Sequence, residues 1–269
     1  VAAGDGFRRT LSEFQKLLRV EPHVVVSDTH PDYFATHVAD EICESARENE
    51  SGAPRRIRVQ HHHAHVLACM AENRIEGPVL GVAWDGTGLG TDGTIWGGEF
   101  LCVGRDAVEF ERVAHLRPFR LPGGEAAVRE PRRAGVGLLF EMRGAQFATS
   151  MDSATVKSFA ESEIALLATM LAREVNSPIT TSVGRLFDAV ASLVGLRQVN
   201  EFEGQAAMEL EAQGQLYVSC ESERFSLAPA LSRWEREQQL PRSDNSDPGV
   251  GLAADGSYPF PLRGAVLDW

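Results

Sequence analysis

The alternation of helix-like and strand-like segments over the first hundred residues limits this chain most. Phe7, Leu11, Phe14 and Leu18 recur at helical spacing and predict a helix over residues 6–19, which Pro22 closes. His23-Val24-Val25-Val26-Ser27 reads as a short buried strand, and Asp28-Thr29-His30-Pro31 as a turn. A helix from Tyr33 to Arg47 follows, then a loop at Glu50-Ser51-Gly52-Ala53-Pro54 and a strand at Ile57-Arg58-Val59. His61 to Asn73 reads as a helix with Val66, Leu67 and Met70 on its apolar face, and residues 79–84 and 95–103 as two strands around a glycine-rich connection. This order predicts an α/β fold in which a partly parallel sheet is flanked by helices.

The pattern changes near residue 115. Residues 116–135 are rich in Pro, Gly and Arg and read as loop, followed by amphipathic helices over 158–175 and 182–196 and a shorter one over 204–212. Residues 242–249 read as a mobile loop, and Ala265-Val266-Leu267-Asp268-Trp269 as the start of an element. The expected division is therefore 1–115, an α/β lobe with a histidine helix and a glycine-rich hairpin, and 116–269, a loop and helical region.

Charge and cysteines narrow the function classes. A net charge of -12 argues against binding a nucleic-acid backbone, which needs clustered Lys and Arg. No apolar run has the length of a membrane helix and no signal-peptide pattern opens the chain, so no membrane partner is expected. Cys43, Cys69, Cys102 and Cys220 form no CxxC pair, which speaks against a cysteine zinc site and a disulfide framework and for a cytoplasmic location. Val1 in place of an initiator Met predicts a piece of a longer protein.

Gln60-His61-His62-His63-Ala64-His65 holds four of the eight histidines. On a helix His61 and His65 lie one turn apart on one face, so both imidazoles reach one metal ion, while His62 and His63 point elsewhere. A polar helix start with capping or surface histidines is the plain alternative. Two ligands do not complete a site, and Asp85, after the next predicted strand, is the candidate carboxylate.

Gly88, Gly90 and Gly93 in Asp85-Gly86-Thr87-Gly88-Leu89-Gly90-Thr91-Asp92-Gly93 fit GxGxxG, but no helix follows, which removes the dinucleotide reading. Thr87 and Leu89 stand where a calcium loop needs Asp or Asn. What remains is either a hairpin whose backbone amides hold phosphate beside a metal-binding carboxylate, or a glycine-rich hairpin with no ligand.

These residues carry a resemblance. Val59-Gln60-His61-His62-His63-Ala64-His65, Ala83-Trp84-Asp85-Gly86-Thr87-Gly88 and Trp96-Gly97-Gly98-Glu99 resemble the HypF carbamoyltransferases, in the domain similar to the Kae/TsaD tRNA-modifying enzymes. Asp28-Thr29-His30-Pro31-Asp32-Tyr33, Leu121-Pro122-Gly123-Gly124 with Arg129-Glu130-Pro131, Ser182 to Val190, and Glu203 to Glu211 match in order.

The resemblance implies an actin-like ATPase (ASKHA) fold, partial here and with an added helical region. It implies a carbamoyl adenylate made from carbamoyl phosphate and ATP, and transfer of the carbamoyl group to the C-terminal cysteine thiol of a HypE-like acceptor, the precursor of the cyanide ligands of nickel–iron hydrogenase. His61, His65 and Asp85 match metal ligands, for iron or zinc, and magnesium with the nucleotide is a further expectation. Gly86, Thr87, Gly88, Asp188, Gly204 and Glu209 match nucleotide-binding positions, and Gln205 stands where the tRNA-modifying relatives carry glycine. An ion pair of Asp188 with Arg185 is the plain alternative. Arg117, Arg120, Arg129, Arg132 and Arg133 serve phosphates or form a solvated loop. The resemblance also implies an adenylate-forming domain, a phosphate loop, a second nucleotide motif and a last metal carboxylate outside residues 1–269, so this chain is expected to be inactive alone. The rival readings are an O-carbamoyltransferase, a tRNA threonylcarbamoyl transferase and a non-catalytic nucleotide-binding module.

Overall fold

The computed structural model describes residues 2–48, 53–149, 153–225, 262–263 and 265–267. The expected loops over 50–54 and 242–249 lie wholly or partly outside them. The chain divides into two compact units, Val1–His115 and Leu116–Trp269.

The first unit opens with helix α1 (Ala2–Leu18), strand β1 (Val24–Asp28), helix α2 (Phe34–Glu48), strand β2 (Arg55–Val59) and helix α3 (His61–Asn73). Strands β1 and β2 pair in parallel with Asp28 opposite Val59, so the carboxyl end of β1 lies beside the start of α3. In open α/β sheets such strand ends are where binding sites are built. Strands β3 (Val79–Leu89), β4 (Ile95–Val103) and β5 (Phe110–Leu116) then form an antiparallel meander. Val66 and Met70 of α3 bury their side chains with Ala83, Trp96, Leu101 and Val103, so the histidine helix is packed onto β3 and β4.

Strand β3 runs five residues past its expected end because it is bulged. Trp84 pairs with Gly98 and Gly88 with Trp96, which leaves Asp85, Gly86 and Thr87 opposite Gly97 alone. A bulge of this kind re-aims side chains, and here it falls at the candidate carboxylate.

The second unit contains strand β6 (Phe119–Arg120), helices α4 (Ala126–Arg129), α5 (Pro131–Arg143), α6 (Ala154–Lys157) and α7 (Glu161–Ala172), strand β7 (Ile179–Thr180), helices α8 (Val183–Leu193) and α9 (Gln205–Phe225), and the short pair β8 (Leu262–Arg263) and β9 (Val266–Leu267). Val136, Leu139, Phe147, Val156, Phe159, Ile164, Leu167 and Leu171 form its core. The expected loop over 116–135 is corrected here: it holds β6, α4 and the start of α5. Pro131 occupies the first helical turn, where its missing N–H costs nothing. Gly137 is no helix breaker either, since a Cβ there would run into the carbonyl oxygen of Arg120. The last part of the stretch read as irregular opens a helix that, at Gly137, is pressed against a neighbouring backbone.

Candidate metal centre

The start of α3 is fixed by Gln60. Its side-chain oxygen accepts from the backbone N–H of His63 at 2.9 Å, the usual N-cap contact, and its Nε2 donates to the carbonyl of Leu89 at 3.0 Å. Gln60 thereby ties the first turn of α3 to the far end of β3. Gly88 allows the approach: a Cβ at this position would lie 2.5 Å from Cε1 of His62 and 2.7 Å from Cδ2 of His61. Only a residue without a side chain lets the bulged strand run so close to two imidazoles.

Three predicted ligands meet in this corner. One ligand atom each from His61, His65 and Asp85 lies within 4.8 Å of the others. Nε2 of His61 is 2.9 Å from Oδ2 of Asp85 and 3.2 Å from Nε2 of His65. Two converging imidazole nitrogens and a carboxylate are a donor set suited to iron(II) or zinc. His65 is mostly exposed, with 58% of its side chain accessible, so the corner is open on that side.

The electrostatics follow from the contacts. The hydrogen bond to Asp85 raises His61 to about 9, with the Asp28 bond and both negative charges adding to it against the effect of burial. Burial pushes Asp85 up, but the bonds from His61 and from the Gly86 amide outweigh it and hold Asp85 at about 2. His62 is pushed down to about 4 by burial. It is therefore neutral at pH 7, buried between Gln60 and Trp96, with Nε2 3.9 Å from Asp85. His63 is buried against Phe110. Of the two histidines expected to point elsewhere, His63 turns away and His62 lines the back of the corner.

The other predicted positions separate into two groups. Gly86 and Thr87 lie in the bulge with Asp85, and Gly88 resumes the pairing opposite Trp96. The Gly86 amide donates to Oδ1 of Asp85 at 2.6 Å, and those of Gly90 and Gly93 bond to carbonyls within the turn. Asp188, Gly204 and Glu209 belong to the second unit. Asp188 is fully buried on α8, with Oδ2 3.1 Å from Nη2 of Arg185, a like-depth ion pair without hydrogen-bond alignment. Burial raises Asp188 to about 6 against the counter-effects of Arg185 and Asn200. Glu209 pairs with Arg197 and accepts from Nε2 of Gln205 at 3.1 Å. Gly204 holds the left-handed turn into α9 with φ +78. Arg117, Arg120, Arg132 and Arg133 are paired with Glu141, Glu174, Glu130 and Glu130.

Sequence reasoning missed two participants. Asp28 reaches Nδ1 of His61 at 2.7 Å. Glu99, fully buried on β4, accepts from the amides of Gly97 and Gly98, both at 3.1 Å, and from Nε of Arg112 at 2.6 Å. Arg112 lies over the ring of Trp96, whose Nε1 donates to Asp92, so one charged network ties the turn after β3 and strand β4 to β5. An acidic residue closing a predicted strand was the available signal for Asp28.

Residues 81–239 match the model for the carbamoyltransferase Kae1-like domain, second subdomain, and residues 1–72 match the model for the HypF Kae1-like domain. This chain belongs to the HypF carbamoyltransferase family. It is 40% identical over 221 residues to the carbamoyltransferase HypF of Synechocystis sp., covering 77% of this chain and 27% of the relative. It is 40% identical over 205 residues to the HypF of Rhizobium leguminosarum bv. viciae, covering 76% of this chain and 25% of the relative. The crystal structure of a full-length HypF in phosphate- and nucleotide-bound form superposes with a TM-score of 0.66 at 38% identity, over 76% of this chain and 25% of that one. The α/β architecture is thus of the Kae1-like, actin-like ATPase type. The chain spans about a quarter of the length of these HypF relatives. Among its described residues no helix is long and apolar enough to cross a membrane.

Proposed function

We propose that this chain carries the metal centre of a HypF carbamoyltransferase, which moves a carbamoyl group from carbamoyl adenylate to the C-terminal cysteine thiol of a HypE-like acceptor in the cytoplasm. The adenylate derives from carbamoyl phosphate and ATP, and the product is the precursor of the cyanide ligands of nickel–iron hydrogenase. The observation that carries the reading is the convergence of His61, His65 and Asp85 within 4.8 Å in a chain of this family. The nucleotide-bound form of the HypF neighbour supports nucleotide binding.

In this reading Nε2 of His61, Nε2 of His65 and the Asp85 carboxylate hold an iron(II) or zinc ion. When bound, such an ion neutralises phosphate charge and polarises a carbonyl. Asp85 stays ionised throughout the neutral range, since it titrates at about 2. The buried neutral imidazole of His62 keeps water from the back of the corner. Asp188, Gly204 and Glu209 are assigned to the nucleotide, with magnesium on its phosphates. For Asp188 a nucleotide hydroxyl would supply the aligned donor that neither carboxylate oxygen has in this structure.

The test is made in a complete HypF carrying this segment. Synthetic carbamoyl adenylate is supplied with a HypE-like acceptor, and the mass of the acceptor's C-terminal peptide is followed. His61→Ala and Asp85→Ala are expected to abolish thiol carbamoylation, whereas Asp188→Asn should raise the adenylate concentration required. Unchanged transfer in the His61 and Asp85 variants would refute the proposal.

A further inference from the structure

We infer that Asp28 is a positioning residue of the metal centre, holding His61 through Nδ1 so that Nε2 is presented to the ion. The inference rests on the metal reading of His61, His65 and Asp85. Its basis is the register of the parallel strands. Asp28 ends β1 opposite Val59, which ends β2, and the amide of Thr29 donates to the Val59 carbonyl at 3.1 Å. Because β2 runs through Gln60 directly into α3, this pairing brings the Asp28 carboxylate beside the first residue of the histidine helix.

Both carboxylate oxygens are engaged. Oδ1 accepts from the backbone N–H of His30 at 2.8 Å, and Oδ2 lies 2.7 Å from Nδ1 of His61. An ionised carboxylate has no proton to give, so Nδ1 of His61 carries the hydrogen of this contact. With its proton kept on Nδ1, the ring can give up the Nε2 proton it shares with Asp85 when an ion takes that place, and the freed lone pair is then on the nitrogen that faces Asp85 and His65. That is the tautomer a metal ligand requires, and a carboxylate behind a ligating histidine fixes ring orientation and raises its basicity. Asp28 stands behind the opposite nitrogen of the same ring, outside the set of converging ligand atoms. A strand-end turn explains the bond from His30 to Oδ1. It leaves unexplained why Oδ2, on a side chain only 16% exposed, is aimed at His61.

Asp28→Asn is the discriminating variant. With Oδ1 still accepting from His30, the amide presents N–H to Nδ1 and drives the His61 proton onto Nε2, opposing metal binding. Asp28→Ala frees the ring to rotate. The full chain is titrated with zinc, and the zinc-loaded protein with nitrogen-15 histidine is examined by NMR. Wild type should bind zinc and show a slowly exchanging Nδ1 proton on His61. Both variants should bind roughly 10- to 100-fold more weakly, and the Asn variant should lack that proton while its zinc-free melting temperature is little changed. If the Ala variant fails to fold, the Asn variant decides. Undiminished zinc affinity in Asp28→Asn, with wild-type binding intact, overturns this inference alone. A wild-type chain that takes up no zinc overturns the metal reading and this inference with it.

Discussion

Asp85 in the first unit and Asp188 in the second are both aspartates withdrawn from water beside a nitrogen base, yet one is held at about 2 and the other raised to about 6. Asp85 sits in a strand bulge, where the Gly86 amide donates at 2.6 Å and His61 approaches to 2.9 Å. Asp188 is buried on α8, where the preceding helical turn offers Arg185 as a nearby charge without an aligned hydrogen bond. Burial alone does not decide whether a carboxylate ionises; the number of donors aimed at it does. The bulge supplies donors from the backbone itself, while a helix has its amides already committed. The first unit thus has a prepared anion, and the second an aspartate whose acceptor capacity is unspent.

Glu99 offers the largest way to break this contrast, because it is fully buried with two backbone amides and the Arg112 guanidinium donating to it. Glu99→Gln would leave Arg112 with Asp92 as its remaining carboxylate in the network described above and is expected to cost roughly 3 kcal/mol in chemical denaturation. A cost near zero would mean that the donors on Glu99 do not stabilise it.

Asp188 gives an effect of comparable size with a pH signature. Its folded value lies above the ordinary carboxylate value, so the native state holds an extra proton in the window between about 4 and about 6. The stabilising contribution is complete below that window and is lost as pH rises through about 6. Integrated over the window this is on the order of 3 kcal/mol. The stability difference between wild type and Asp188→Asn should therefore change with pH across this range and level off on either side. A difference independent of pH would place Asp188 among ordinary paired carboxylates.

Gly88→Ala sharpens the comparison from the packing side. The added methyl meets His61 and His62 at distances no side chain tolerates, and both rings are held by hydrogen bonds. About 1–3 kcal/mol of lost stability is expected, together with weaker metal uptake. Loss of stability with metal affinity intact would show that the bulge packs the helix without shaping the site.

Local signals carried much of this account. Helix α3 is legible from Val66, Leu67 and Met70, and His61 and His65 share a face because a helix repeats every turn. The partnership with Asp85 followed from the strand that precedes it. Other features depend on tertiary contact and leave no local trace. The start of α5 reads as loop because Pro131 and Gly135 look like breakers, and Gly135 is explained only by the Thr155 and Ser192 side chains it touches. Strand β5 escaped notice because Glu111, Arg112 and His115 give it a polar pattern, and its pairing with β4 makes that pattern intelligible. Asp28 reads as turn chemistry, and its second role exists only through the parallel register with β2. Glu99 looks like a charge in a strand until Arg112 is folded beside it.

The central claim is a metal centre built from one turn of α3 and one bulge of β3, and bound metal measured in three histidine variants tests it most directly. After purification under reducing conditions with iron or zinc, His61→Ala and His65→Ala should each lose most of the metal held by wild type, and His63→Ala, whose ring packs against Phe110, should retain it. Equal loss in all three variants, or none in any, would contradict the account and leave a histidine-rich helix start that binds metal only by chance.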